Sequence, residues 1–212
     1  MPTPVNAGRN GHRWFATTYD FLTLWSERRL LRHLRPPVAG AAKGRVLEIG
    51  VGTGANFPYY QGVDRLLATD PEPSMIARAQ KRAEELGLSV EFHQCPAEVL
   101  PFASGSFDAV VATLVFCSVR DPALALAEVK RVLKPTGVLR FIEHIRSDGS
   151  FTGHIQDILT PAWRWFGAGC HLNRQTAARI EAAGFEFLEL QRRRLPLMPL
   201  IVGAAKPTVT RT

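Results

Sequence analysis

The spacing of apolar residues changes along the chain, and each change marks an expected element. Between residues 14 and 35, Phe15, Tyr19, Leu22, Trp25, Leu31 and Leu34 recur at roughly helical spacing, with Arg28, Arg29, Arg32 and Arg35 on or near the other face. Pro36-Pro37 should stop that helix. Short apolar runs then alternate with helical stretches. Arg45–Ile49 reads as a strand ending in glycines, and Leu66–Thr69 as a second with Asp70 at its end. Ser74–Leu86 reads as a helix with Ser74 or Asp70 near its start and Gly87 after it, and Val90–His93 as a third strand. Phe107–Leu114 is nearly all apolar, as a strand buried on both faces should be. Ala123–Leu133 reads as a helix ended by Pro135 and Gly137, followed by a strand at Val138–His144.

This alternation implies an α/β fold with a mostly parallel sheet and helices on both faces. The last part differs. A helix at Arg174–Ala183 ends at Gly184, and the runs Phe185–Arg192 and Leu200–Ala205 follow with no helix between them, which predicts an antiparallel hairpin closing the sheet. Residues 1–13 show no apolar period and no signal-peptide core, and read as disordered. The expected organisation is one domain over residues 14–206, with 14–35 as a lid helix and 207–212 as a tail.

The 212 residues suffice for a full hydrophobic core. The net charge of +7 favours acidic partners without choosing among nucleic acid, an anionic membrane surface and an anionic substrate. The cysteines, Cys95, Cys117 and Cys170, form no CxxC pair, so neither a disulfide framework nor a metal site is expected, and a reducing cytoplasm fits best. The longest apolar stretch, Ala109 to Val119, is too short to span a bilayer, which leaves surface attachment open.

The candidate chemistry starts at the first strand. In open parallel sheets, ligands bind beyond the carboxyl ends of the strands, where strand order reverses. Gly50-Val51-Gly52-Thr53-Gly54 lies there, with Glu48 just before it and Asp70 ending the next strand. A carboxylate at the second position can accept hydrogen bonds from both hydroxyls of a ribose. Gly50, Gly52 and Ala55 with Asp70 about 20 residues on also satisfy the dinucleotide fingerprint of NAD-binding sites. Glu48 argues against that rival: it would repel a pyrophosphate, but suits a ligand carrying an ammonium and a sulfonium.

Downstream segments sharpen the choice. Glu48 to Gly54, Asp70-Pro71 with Met75, Glu98-Val99-Leu100-Pro101-Phe102, Ser106 to Val111 and Leu133 to Leu139 together resemble class I S-adenosylmethionine (SAM)-dependent methyltransferases of the type 11 kind, over about residues 14–206. The resemblance implies a Rossmann-like, seven-stranded fold, SAM as cofactor and S-adenosylhomocysteine as product. It implies that Gly50, Gly52 and Gly54 line the methionine and ribose parts and that Asp70 holds the ribose hydroxyls. It places Met75 on the adenine, Ala97 and Glu98 near the adenine edge, Thr113 beside the methionine moiety, and Glu48 and Asn56 on the cofactor side. Pro96 stands where many relatives carry an acid for the adenine amino group, so that contact falls to Glu98, Gln94 or a backbone carbonyl. Each role has a plainer alternative: Glu48 as a structural cap of the loop, Met75 as core packing, Asp70 as a helix N-cap.

The acceptor side is less explicit. Cys117-Ser118-Val119, Phe141 to His144, Gln156 to Trp163 and Gly169 to Arg174 are similar to a narrower subfamily. It includes the methyltransferase-like protein 7 enzymes, proteins that methylate small alkyl thiols, and bacterial proteins labelled phospholipid N-methyltransferases. The resemblance implies a small-molecule acceptor, thiol or amine. His144, ending the fifth strand, is the first candidate base and His171 the second; Tyr19 and Cys117 are candidates to face the substrate. Two other classes stay open. A phospholipid N-methyltransferase would use the basic N-terminal helix and Trp163-Arg164-Trp165-Phe166 at an anionic membrane. An RNA methyltransferase would use the basic charge, but no RNA-binding module is appended, so nucleic acid is not expected as a partner.

Overall fold

Strand β1 (Gly44–Ile49) lies inside a seven-stranded sheet, and its last four residues are fully buried. The computed structural model describes residues 31–166, 169–195 and 198–208; the expected lid helix up to residue 30, Tyr19 and the chain ends fall outside them. The other strands are β2 (Val63–Asp70), β3 (Val90–Gln94), β4 (Phe107–Thr113), β5 (Leu133–His144), β6 (Phe185–Arg193) and β7 (Leu200–Pro207). They lie in the order β3-β2-β1-β4-β5-β7-β6. β1, β2, β3, β4 and β5 are parallel, and β7 runs antiparallel to both β5 and β6. The chain therefore leaves β1 toward one edge and resumes with β4 on the other side. That reversal opens a crevice at the carboxyl ends of β1 and β4.

Among the described residues five α-helices flank the sheet: α1 (Arg32–Ala39), α2 (Pro73–Glu85), α3 (Pro122–Val132), α4 (Ser150–Phe166) and α5 (Thr176–Ala182). Alternation along β1 decides which face each residue meets. Leu47 and Ile49 join a core layer with Phe116 and Phe141 and with Leu126 and Val129 of α3. Val46 joins the opposite layer with Leu34 and Val38 of α1 and with Ala79 and Ala83 of α2. Glu48 has the parity of Val46 and so points toward α1. Proline at the first turn starts both α2 and α3, where the missing N–H has no intrahelical partner to lose. Glu72 caps α2 by accepting from the Ser74 N–H, and Asp121 caps α3 by accepting from the Ala123 and Leu124 N–H groups.

Three boundaries differ from the sequence reading. α1 passes through Pro36 and Pro37 rather than stopping before them. Burial of Leu34, Val38 and Ala39 beneath the helix outweighs the two missing amide donors, and Gly40 N–H closes on the Pro36 carbonyl. Arg35, expected among surface arginines, is buried in the same interface. Pro135 and Gly137 lie inside β5, because the register against β4 jumps from Phe107↔Leu133 to Ala109↔Val138 and Lys134–Gly137 bulge out. The sequence reading contained no helix at α4. Its exposed face carries Phe151 and Ile158, 76% and 75% exposed. Among the described residues no helix is long and apolar enough to cross a membrane.

Candidate active site

The loop after β1 turns through three residues of positive φ, Gly50 at 58°, Gly52 at 55° and Gly54 at 74°. Two of them make room for this chain itself. A Cβ on Gly50 would lie 2.7 Å from the Val115 side chain, and one on Gly54 2.5 Å from the Phe57 ring. At Gly52 a Cβ would meet nothing within 4 Å. Gly52 is therefore where a ligand can approach bare backbone.

Asp70 ends β2 and is 7% exposed. Its Oδ2 accepts from the Gly52 N–H at 2.9 Å and its Oδ1 from the Glu72 N–H at 2.9 Å. Burial pushes the carboxyl up, while those two backbone bonds favour the charged form. Each oxygen keeps a further acceptor position. Met75, in the first turn of α2, and Ala97, after β3, are buried nearby in sequence-adjacent elements.

Glu48 is engaged on both oxygens. Oε1 accepts from Asn56 Nδ2 at 2.9 Å and Oε2 from the Tyr60 hydroxyl at 2.8 Å. Asn56 Oδ1 in turn accepts from Arg35 Nη1 at 2.6 Å, and Asn56 Nδ2 also reaches Thr113 Oγ1 at 3.1 Å. Burial raises the Glu48 carboxyl to about 7, opposed by the bonds from Tyr60 and Asn56 and the charge of Arg35. Burial and the Glu48 charge push the Tyr60 phenol well up. The cluster ties β1, β4, α1 and the loop into one unit beneath the glycine turn. Arg35 and Tyr60 had no sequence signal as partners of Glu48: they lie 13 residues before and 12 after it, at no motif spacing.

Glu98 is engaged through one of its oxygens. Its Oε1 accepts from the Arg120 and Asp121 N–H groups at 2.9 and 3.2 Å, at the start of α3. Gln94 Nε2 donates to the Pro71 carbonyl at 3.3 Å, just past Asp70.

Beyond β4 the chain makes a strained corner. Leu114 sits at φ 58°, the one non-glycine residue at positive φ among those described. The next three amides converge on one carboxylate: Glu143 Oε1 accepts from Val115 and Phe116 N–H at 2.7 and 2.9 Å, and Oε2 from Cys117 N–H at 3.1 Å. Glu143 is completely buried, and burial, then the Cys117 thiol, push its carboxyl well up against those three bonds. Sequence reasoning quoted Glu143 within a motif but gave it no role. The available signal was a lone acid ending an otherwise apolar strand, which must find buried donors.

His144 is 8% exposed, and burial lowers it to about 4, so the ring is neutral. The ring bonds to the backbone at Met198 and Pro199, while its Nδ1 is buried with no hydrogen-bond partner among the described residues. His171 lies apart from it: its N–H donates to the Cys117 carbonyl at 2.8 Å, and its Nδ1 lies 3.2 Å from the same oxygen. Cys117 is buried with Cys170 and Leu172, against Leu114, Trp163 and Met198. The Cys170 thiol, then burial, push the Cys117 thiol well up, so it is not a nucleophile at neutral pH.

Comparison with known proteins agrees with this architecture. A family profile described as a methyltransferase domain matches residues 47–141. Human thiol S-methyltransferase TMT1B is 39% identical over 181 residues, covering 84% of this chain and 74% of that protein. Phosphatidylethanolamine N-methyltransferase of Cereibacter sphaeroides is 33% identical over 144 residues, 66% of this chain and 68% of that protein. Among solved structures, the trans-methyltransferase CalH in complex with SAH superposes with a TM-score of 0.62 at 21% identity, over 94% of this chain and 60% of that one, a likeness of fold. With a glycine turn and an acid at the switch point, and relatives matched along most of its length, this chain belongs to the class I, SAM-dependent methyltransferase family.

Proposed function

We propose that this protein transfers a methyl group from SAM to the sulfur of a small thiol. The observation that carries this reading is the neutral character of the acceptor side. Leu114, Cys117, Trp163, Cys170, Leu172 and Met198 pack together past β4, and His144 beside Met198 is uncharged. The similarity to human thiol S-methyltransferase TMT1B supports the same choice.

The residues fit the donor: Gly52 leaves backbone open, and Asp70 holds acceptor positions beside it. Bound SAM supplies a methyl carbon made electrophilic by its sulfonium sulfur. Asp70 accepts the ribose hydroxyls, Met75 and Ala97 flank the adenine, and Thr113 borders the methionine end. Glu48 acts through Asn56, which it holds against Thr113. The adenine amino group would find its acceptor in Glu98, Gln94 or a backbone carbonyl; one oxygen of Glu98 already serves the start of α3. The strained Leu114 corner, fixed by Glu143, sets where the acceptor stands, because an in-line displacement depends chiefly on alignment.

The neutral ring of His144 favours sulfur over nitrogen. A group titrating at about 4 accepts a hydrogen bond but cannot hold a proton taken from an ammonium of pKa near 10. A thiol of pKa about 8.5 is already a few per cent thiolate at neutral pH and needs no strong base. His171 clamps the Cys117 carbonyl and acts by position.

The test offers a small alkyl thiol, the matching alkylamine, phosphatidylethanolamine liposomes and RNA, and follows formation of S-adenosylhomocysteine. Turnover of the thiol is expected; turnover of amine or RNA without thiol overturns the reading. One observation favours a second reading, methylation at a membrane surface: the exposed Phe151 and Ile158 on α4 would enter the lipid headgroup layer. Liposome turnover with no thiol turnover would establish it.

A further inference from the structure

A basic groove of ≈ 800 Å³ lies between the start of α3 and α5, at the same end of the sheet as the cofactor crevice. Four arginines line it, Arg120, Arg146, Arg174 and Arg179, with one carboxylate, Asp121. That carboxylate is taken up in capping α3. Arg146 is paired with Asp157 at 2.7 Å. The other three have no ion pair among the described residues. Arg174 is half-buried and donates to two neutral carbonyls, Phe116 at 2.6 Å and Val119 at 2.8 Å, without an ion pair. Burial works most strongly against its charge and Arg179 adds to that, while Cys117, Cys170 and Glu143 favour it, with the net effect still against it. Like charges gathered in a partly desolvated groove call for an anion.

We propose that this groove is a binding site for a phosphoryl group. The guanidinium forks of Arg120 and Arg179, with the Gln175 amide beside them, offer more donors than one carboxylate can use, and match the oxygens of a phosphate. The groove shares its floor with the acceptor side. Arg174 and His171 hold the segment Phe116–Val119 from one side, while Glu143 holds its amides from the other. A phosphoryl group bound to Arg174 therefore stands one loop away from Leu114. It belongs either to a soluble phosphate ester or to a phospholipid headgroup. The inference does not depend on which atom the enzyme methylates.

The test uses the full chain and two probes, glycerol 3-phosphate and vesicles of phosphatidylglycerol in phosphatidylcholine. Nitrogen-15 NMR of the protein with glycerol 3-phosphate should give saturable shifts confined to the amides of Arg120 and Asp121 and of residues 171–182, absent with sodium chloride at equal ionic strength. Arg120→Gln with Arg179→Gln, both on exposed side chains, should weaken binding at least about tenfold while SAM affinity by calorimetry stays unchanged. Vesicle binding lost in the same double variant, without shifts from glycerol 3-phosphate, assigns the phosphoryl group to a lipid. Acetate shifting the same amides as strongly as glycerol 3-phosphate overturns the proposal in favour of a general anion site. Neither probe binding, or binding unchanged in the double variant, also overturns it. Failure of the thiol reading would show separately, as absent turnover with phosphate binding intact.

Discussion

Glu143 Oε1 accepts the Val115 amide at 2.7 Å, and through it the end of β5 dictates the path of the chain leaving β4. The same carboxylate takes the next two amides, so a single side chain holds the corner that Leu114 enters at φ 58°. Glu143→Ala leaves three buried N–H groups unpaired and should lower stability by about 2–4 kcal/mol in chemical denaturation. Glu143→Gln keeps one acceptor oxygen and the shape, but turns an amide donor toward the backbone amides. It should fold, bind SAM within a few-fold of wild type and lose about 10–100-fold in kcat, since a small displacement of the acceptor is costly in an aligned transfer. Equal losses in SAM affinity and kcat would reduce Glu143 to a general stabiliser.

Glu48 gives a pH dependence whose sign is fixed by its burial. Its carboxyl rises from 4.5 to about 7 on folding, so the folded chain holds a proton that the unfolded chain has lost between those values. Its contribution to stability is thus fully present below pH 4.5 and declines as pH rises to about 7, by roughly 3 kcal/mol, then stays level. Glu48→Gln removes the titration and can still bond Asn56 and Tyr60. Thermal unfolding should show the variant gaining on wild type between pH 5 and pH 8; parallel curves would contradict the burial argument. SAM titration of the same variant reports whether the Glu48 charge reaches the donor.

The glycines of the loop separate packing from ligand access. Alanine at either Gly50 or Gly52 forces a side chain into left-handed backbone, at about 1–2 kcal/mol. At Gly50 the new methyl also strikes Val115, adding about 1–3 kcal/mol of overpacking. Gly50→Ala should therefore lower the melting temperature more than Gly52→Ala. Gly52→Ala should lose more SAM affinity relative to its loss of stability, because its methyl occupies the open approach. Calorimetry and thermal unfolding on both variants check the ordering.

Asp70→Ala removes the acceptor for Gly52 and Glu72 and the proposed ribose contact together. SAM affinity should fall at least about tenfold. Asp70→Asn keeps an acceptor oxygen and should lie between the two, and equal affinity in all three proteins would remove Asp70 from the ribose.

Much of this was legible in the chain, and the parts that were not share a cause. β1, its glycine turn and Asp70 stand out because their constraints are local: an apolar strand, a turn of positive φ, an acid at the next strand end. The hairpin order at β6 and β7 was equally plain, since no helix fits between them. Arg35 was misplaced because its spacing matches exposed arginines, while its partner Asn56 is brought in only by the fold. α1 runs through Pro36-Pro37 because tertiary burial of Val38 and Ala39 outweighs a local rule. α4 is hidden in the sequence because the side it buries carries Gly153, Gln156 and Thr160 while Phe151, Ile158 and Leu159 are exposed, which inverts the usual apolar stripe. Glu98 reads as a cofactor residue by motif position, yet the α3 amides that claim it lie more than 20 residues later.

The pH profile of methyl transfer distinguishes a hydrogen-bonding His144 from a true base. With the ring titrating at about 4, it is already neutral throughout the range of pH 6–9 in which activity is measured. Below the pKa of the acceptor thiol, kcat/KM should rise about tenfold per pH unit and level off near that pKa, about 8.5 for a cysteine-like thiol. A more acidic thiol should carry the inflection down with it. His144→Gln should lower kcat/KM through the lost acceptor at Nδ1, yet leave the inflection with the thiol. An inflection between pH 6 and 7 that ignores the acceptor and vanishes in His144→Gln would make His144 the base instead. It would also mean that ligand binding lifts the ring out of the apolar setting that now keeps it neutral.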